Sequence, residues 1–502
     1  MNHRLVAISS LVLYLVLAIG NCLAKRPRAD EAYFAIPALN LATRGFMGTT
    51  ILEKSGTPWL EGLERRTYWV MPLHLVLQAG WYKVAGFGLF SMRILSVAWG
   101  LVLLASLYRL LVELFEDKNT ALMGAVLTAG CYEFLMITSD GRMDAMCAAL
   151  NFMGYAVYLA LRKQHFGWAI LLSQGAVVAA GLTHPNGILG FAGLAFLTFY
   201  FDRARLEWRH AAIALIPYAI GGTAFGWYVL QDPDLFVTQF SGNARDAGRL
   251  RLLATPWQAF WLEMTERYFG HFSGFSPMAP KVLRVKIVLT LTYLAALALA
   301  AGVPIVRQRQ GTRVLLILTA IYFVILSVTD GQKQYIYLIH MVPLLSALLG
   351  VVALWCWARP LAPRWVLALG LAGFLLLHLG GAASRVAQNT YSKNYMGAVE
   401  FLRPHAASGQ QIMGSAELGF ALGFTANLVD DYRLGYYSGK RPALIVVDDR
   451  YRQQFDAAKV KRIDVYRHVT GLLSREYSVA FDRAGYTVYE SRKFRNSLPE
   501  SH

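Results

Sequence analysis

Along the chain, long apolar runs alternate with short polar breaks. Runs at 5–23, 93–114, 121–138, 144–161, 168–183, 185–201, 211–230, 282–306, 314–328, 335–357 and 365–381 each approach the roughly 20 residues that carry a helix across a bilayer. The pattern predicts a mainly α, polytopic membrane protein with about 11 transmembrane helices. Between the first two runs lies a long polar interval, 25–92, with amphipathic stretches at 31–44 and 68–84. Pro37 interrupts the first, and Pro72, His74, Gln78 and Lys83 fall among apolar positions of the second, so both are expected as helices lying along the membrane face. After Ser384 the hydrophobic density falls. Strand-like runs at 411–413, 443–447, 477–481 and 486–489, with a helical stretch at 395–403, predict a small α/β domain over 385–502 after a membrane domain over 1–384. Gly414, Gly419 and Gly423 lack the spacing of a dinucleotide fingerprint, and Asp448-Asp449 after the 443–447 run reads as a solvated charge pair.

Composition narrows the class. With 56% hydrophobic and 16% charged residues, the 502-residue chain is too apolar for an ordinary soluble protein. Its net charge of +17 would suggest nucleic acid in a soluble domain. Here the basic residues punctuate the apolar runs, so topology and anionic lipid account for them, and no nucleic-acid partner is expected. Arg162, Lys163 and His165, then Arg203, Arg205 and Arg209, then Arg307, Arg309 and Arg313, then Arg359 and Arg364 occupy alternate short loops. These mark the cytoplasmic side, together with the N-terminus, of a multi-pass plasma membrane (bacterial inner membrane) protein. The unusual polar residues then fall on the extracytoplasmic side, with 385–502. Cys22, Cys131, Cys147 and Cys356 have no metal-ligand spacing and read as small buried hydrophobes. The N-terminal run could be a cleaved signal peptide ending at Ala24; a retained helix is expected, because cleavage would leave the acidic residues that follow at a free terminus.

Candidate chemistry lies in the loops. Asp30-Glu31 follows the first run directly, where a membrane enzyme would place a base, although the pair would serve equally as the cap and first-turn acid of the next helix. Asp140, Arg142 and Asp144 crowd a short loop on the same membrane face, and buried charges there need one another or a ligand. A local Arg142–Asp pair capping the next helix is the plainer reading. Lys333 stands just ahead of a span, as a snorkelling lysine would. His184 precedes Pro185, where a backbone-satisfied turn histidine or a substrate hydrogen bond are both open. Loop 231–281 combines Arg245, Arg249 and Arg251 with Trp257, Phe260, Trp261 and Tyr268, which suits a carrier phosphate with its isoprenoid tail, or an interfacial aromatic belt.

Ala29-Asp30-Glu31-Ala32-Tyr33, Tyr68-Trp69 with Pro72-Leu73-His74, Arg93, Arg142-Met143-Asp144, and Lys333 ahead of Tyr335 and Tyr337 occur in this order. In that order the chain resembles the GT-C membrane glycosyltransferases, being similar to protein O-mannosyltransferases and to the lipid A 4-amino-4-deoxy-arabinose transferases, over about Met1 to Leu349 and more loosely beyond. The resemblance implies transfer of a sugar from a polyprenyl-phosphate carrier to an extracytoplasmic lipid, glycan or protein hydroxyl by inverting displacement. Asp30 matches the catalytic carboxylate and Asp144 the acid of the second loop. Glu31, Arg142, His184, Tyr68, His74, Arg245, Lys333 and Tyr335 fall at substrate-binding positions, with Lys333 neutralising the leaving phosphate. Loop 231–281 lacks the His-plus-Arg pattern of the aminoarabinose transferases, which leaves sugar and acceptor open. No P-loop or metal cluster is evident and no cofactor is expected, but an acidic pair can recruit a divalent cation. The alternative class, a transporter or flippase of a lipid-linked or small polar substrate, would show paired repeats with broken helices near mid-membrane; the polar groups here cluster instead in loops on one side.

Overall fold

The computed structural model describes residues 3–246, 248–275, 280–359 and 363–495. Residues 1–2 and 496–502 of the two expected domains lie outside them, as do 276–279 of the long loop. In chain order, α1 (His3–Ala24) leads into α2 (Ala29–Arg44) and α3 (Pro72–Ala85), which occupy the polar interval. There follow α4 (Leu89–Phe115), α5 (Lys118–Ala129), α6 (Tyr132–Thr138), α7 (Asp144–Leu161), α8 (Phe166–Thr183), α9 (Gly187–Asp202) and α10 (Trp208–Val229). Next come α11 (Pro233–Asp246), α12 (Pro256–Leu262), α13 (Ile287–Gly302), α14 (Gln310–Thr329), α15 (Leu338–Trp357) and α16 (Arg364–Gln388), then α17 (Met396–Ala407) of the terminal unit.

Among the described residues, nine helices are long and apolar enough to cross a membrane. Two of the eleven expected spans differ. The 121–138 run is two helices, α5 and α6, bent by 65° at Gly130-Cys131. The 185–201 run yields a helix of 16 residues, because Pro185 and Asn186 are spent on a turn; at 1.5 Å per residue it spans about 24 Å, short of the roughly 30 Å hydrocarbon core. α15 is hydrophobic on every side and buried along almost its whole length, so it forms the centre of the bundle. α10 turns Ile216, Ile220 and Trp227 outward, as a lipid-facing helix does. α1 approaches α4 closely at Gly100, where a Cβ would lie 2.1 Å from the Tyr14 hydroxyl. The protein is a multi-pass membrane protein.

The terminal unit holds a five-stranded sheet of order β2-β1-β3-β5-β4, with β1 (Ile412–Met413), β2 (Leu428–Val429) and β3 (Leu444–Val447) parallel and β4 (Tyr477–Arg483) and β5 (Tyr486–Ser491) antiparallel. Asp448 is buried and caps α18 (Asp449–Lys461) by accepting from Tyr451 N at 2.8 Å, while Asp449 pairs with Arg26 at 3.1 Å; the expected solvated pair is therefore a cap and a tether. α19 (Ile463–Glu476) follows. This sheet is joined to the first loop: Leu52 bridges Asp430 in parallel, and Asp430 N donates to Ile51 O at 2.8 Å. Ala32, Tyr33 and Ile36 of α2 lie in one apolar cluster with Tyr395, Val399, Leu402, Leu418 and Tyr486. The terminal unit thus packs on the helix that carries Asp30.

Candidate active site

Arg28 is the extended residue before α2, and its N–H donates to Glu31 Oε2 at 2.8 Å. Glu31, not Asp30, therefore caps the helix, and the Asp30 carboxylate is left 55% exposed. Glu31 is buried on a fully buried Arg93, with Nε at 2.7 Å from Oε1 and Nη2 at 2.8 Å from Oε2. The remaining Arg93 donors reach Cys22 O, Lys25 O and Arg26 O at 2.8, 2.7 and 3.0 Å, and Gly141 N donates to Glu31 Oε1 at 3.0 Å. Burial by itself would raise the Glu31 pKa, but Arg93 pulls it down to about 2. This node fixes the end of α1, the start of α2, the start of α4 and the second loop.

Arg142 joins the two acids that the sequence places far apart. Its Nη1 contacts Asp30 Oδ2, its Nε lies 2.9 Å from Asp144 Oδ2, and its guanidinium covers the Phe34 ring at 5.2 Å. Asp144 is fully buried at the start of α7, with Oδ1 unpartnered, whereas Asp30 opens on a cavity of about 550 Å³. Phe34, Trp59 and Trp69 of the first loop, Arg142, His184, Asn243, Arg249, Asp330 and Tyr337 line the same cavity. Its lining comes from the loops opposite the basic ones and the adjoining helix ends.

His184 Nδ1 accepts from Asn186 N at 3.0 Å, so Nε2 carries the proton facing the Tyr337 hydroxyl at 3.4 Å. Burial, reinforced by Arg249 and Arg142 against the pull of Asp144, lowers its pKa to about 4 and keeps the ring neutral. Arg249 Nη1 donates to the Tyr337 hydroxyl at 3.2 Å, and its Nε is buried without a hydrogen-bond partner. Gly331 holds this arginine in place: its N–H donates to Arg249 O at 2.7 Å, and a Cβ there would come within 2.1 Å of Gly248 O. Gly248 itself turns at φ +63°.

Several expected binding residues lie elsewhere. Arg245 is exposed at the end of α11, and Arg249 takes the place in the cavity. Lys333 is buried with its ammonium 3.1 Å from Glu263, in a network with Arg267 and Asp330, so its charge is spent on protein carboxylates. Burial lowers its pKa against the opposing pull of Glu263. Tyr335 accepts from Arg28, which with Lys25 also holds Asp140. Tyr68 packs edge-on against Phe236 and donates to Tyr228 O at 2.9 Å. His74 is buried beside Gln78, and burial lowers its pKa to about 4. Neither Trp59 nor Asn243 stands out in the sequence, because both meet the cavity only through long-range folding. Asp330, next to a span and a glycine, carried the legible signal.

Among the described residues, the one metal-capable trio of Cys131, Glu133 and His378 sits at the bend between α5 and α6, with ligand atoms within 4.8 Å of one another. His378 Nδ1 already accepts from Tyr132 N at 3.1 Å, and Lys286 approaches Glu133 at 3.5 Å, so the trio works as a helix-end cluster, and Cys131 has polar partners beyond the expected apolar ones.

Residues 70–221 match the family model described as dolichyl-phosphate-mannose-protein mannosyltransferase. By sequence alone, no curated protein matches the chain. Among solved structures, the ArnT of Cupriavidus metallidurans bound to undecaprenyl phosphate is similar with a TM-score of 0.58 at 15% identity, covering 97% of each chain. The Archaeoglobus fulgidus oligosaccharyltransferase in complex with Zn and sulfate matches 99% of this chain and 74% of its own, at 12% identity and TM-score 0.58. The same archaeal enzyme, AglB, with an inhibitory peptide and a dolichol-phosphate gives 0.56 at 12% identity, over 99% of this chain and 75% of its own. Residues 70–221 carry the match to that mannosyltransferase family, and the fold of the whole chain is that of the GT-C membrane glycosyltransferases.

Proposed function

We propose that the protein transfers a sugar from a polyprenyl-phosphate carrier to an acceptor hydroxyl on the extracytoplasmic face, in a single inverting displacement. The acceptor oxygen attacks the anomeric carbon, the bond from that carbon to the phosphate oxygen breaks, and the electron pair leaves with the carrier phosphate. The hydroxyl proton passes to Asp30. Arg142, fixed from behind by Asp144, orients the Asp30 carboxylate. Arg249, with an unspent Nε, meets the negative charge that grows on the leaving phosphate. A neutral His184 donates through Nε2 and aligns the Tyr337 hydroxyl. Residues 385–502 serve as an extracytoplasmic unit that holds α2 in place.

The observation that carries this reading is the meeting of Asp30 and Asp144 on one guanidinium at the wall of a cavity shared with Arg249. The ArnT with undecaprenyl phosphate and the AglB with dolichol-phosphate lend it support as folds of the same kind that bind such carriers. The test is Asp30→Asn in membranes given a panel of polyprenyl-phosphate sugars, with products read by mass spectrometry. Transfer should fall by about two to four orders of magnitude, the contribution of a positioned base, at unchanged membrane abundance. Full activity in the variant would remove Asp30 as the base.

A further inference from the structure

Asp30 faces two cavities. Besides the large one, it lines a second of about 200 Å³ between α2 and the terminal unit, and Trp59 and Trp69 are common to both. The two differ in what their cations have left to offer. The large cavity sets Asp30 and Asp330 against Arg142 and Arg249, a balanced lining with a free guanidinium donor. The small cavity presents Asp30, Glu53, Asp430 and Asp431 with Arg433 and Arg450; Asp431 holds Arg433, Asp430 holds Arg450, Asp30 contacts Arg142, and Glu53 pairs with Lys440 at 2.5 Å. Its own two cations are already spent on carboxylates, so an anionic occupant would be left without a partner.

Its other walls are aromatic. Tyr33, Trp59, Trp69 and Tyr432 line it, with Tyr33 edge-on to Trp69 at 6.0 Å and Trp59 tilted to Trp69 at 6.3 Å. The polar walls are fixed by their own contacts: Asp430 accepts from Tyr33 at 2.7 Å, from Arg450 at 2.8 Å and from Tyr451 at 3.0 Å, and Arg433 donates to Thr57 at 2.8 Å. One donor is left over. Trp69 Nε1 is buried with no hydrogen-bond partner, and an orphaned indole N–H at a cavity wall calls for an acceptor oxygen. Flat apolar faces set among rigid hydrogen-bonding groups, in a space for one ring, are the surroundings a sugar ring needs.

We propose that this smaller cavity is the acceptor subsite and takes a neutral or amine-bearing sugar, whose hydroxyl is presented to Asp30 from the side opposite the carrier phosphate. The inference rests on the transfer reading above and adds the acceptor class. It is tested by binding to the full chain in nanodiscs, using undecaprenyl phosphate, a neutral disaccharide, an amino disaccharide, a glucuronate disaccharide and a serine-containing peptide as probes. The neutral and amino disaccharides should bind at least about tenfold more tightly than the glucuronate probe, and compete with neither the peptide nor undecaprenyl phosphate. Tyr432→Ala, which touches only the small cavity, should weaken the disaccharide about tenfold and leave undecaprenyl phosphate affinity unchanged. Glu53→Gln, if the variant folds less well, still reports through the ratio of glucuronate to neutral binding, which should rise. Peptide binding with no disaccharide binding, or disaccharide binding indifferent to both substitutions, would overturn the acceptor assignment while carrier binding stands. Failure of wild-type protein to bind undecaprenyl phosphate would overturn the transfer reading and this inference with it.

Discussion

Two aspartates share Arg142, yet in the transfer we propose only one can reach the substrate proton. Asp144 is fully buried behind the guanidinium, and Asp30 is half open to the cavities. The same distinction separates the cations. Lys333 spends its charge on Glu263, whereas Arg249 keeps an unpaired donor at the cavity wall. Arg249→Ala should therefore weaken undecaprenyl phosphate binding and cut transfer by about two to three orders of magnitude, the usual cost of removing a donor aimed at developing charge. Lys333→Met should lower thermal stability in detergent and leave carrier affinity unchanged; a loss of affinity equal to that of Arg249→Ala would return the phosphate role to Lys333. The acids of this site were legible in sequence, because a carboxylate directly after a span and another directly before one can only meet at a membrane face. The choice among Arg245, Arg249 and Arg251 was not. It depends on Gly248 turning the loop at φ +63° and on Gly331 clamping it, and no local spacing encodes that pairing.

At the scale of elements, the period of the apolar pattern found the helices and missed how two of them end. The bend between α5 and α6 falls at Gly130-Cys131, where Tyr132 N donates to His378 Nδ1 and Lys286 approaches Glu133, partners far along the chain. The shortness of α9 was visible in His184-Pro185, since the residue before a proline avoids the helical region. What the pattern could not give was the pairing of Glu31 with Arg93, which joins α1, α2 and α4 at a point no water reaches. Removing one partner leaves a buried charge, so Arg93→Met should cost about 3–5 kcal/mol, measured by denaturant unfolding in detergent. The Glu31 pKa is depressed, so its contribution is present above its ordinary value of 4.5 and is lost as pH falls through about 2. The Arg93→Met variant should lack that acid-side loss. An unaltered acid profile would mean that the pair does not hold these elements together.

The whole molecule is tied together where the terminal unit meets the first loop, so the membrane part and the sheet should not behave as independent bodies. Ending the chain after Gln388 would strip Ala32, Tyr33 and Ile36 of their apolar cover, and transfer should be lost although the spans still insert. A gentler probe is Glu417, buried in this contact, with Tyr486 donating to Oε1 at 2.9 Å and Ser415 to Oε2 at 3.3 Å. Burial, and then Asp448, raise its pKa to about 8, while Arg26 of the first loop pulls the other way. The folded state therefore holds the Glu417 proton over a range where the unfolded chain releases it. Stability from this group is fully present below its ordinary value of 4.5 and is lost as pH rises through about 8. Unfolding midpoints of the full chain in detergent should fall across that window, and Glu417→Gln, which keeps a hydrogen-bonding side chain without a titrating proton, should flatten the fall. Protease cleavage at the junction of α2 with the sheet should follow the same profile, because the contact that loosens is the one holding the Asp30 helix. A wild-type midpoint that stays level from pH 5 to 8, or a Gln variant that retains the slope, would place the proton elsewhere and separate the terminal unit from the control of α2.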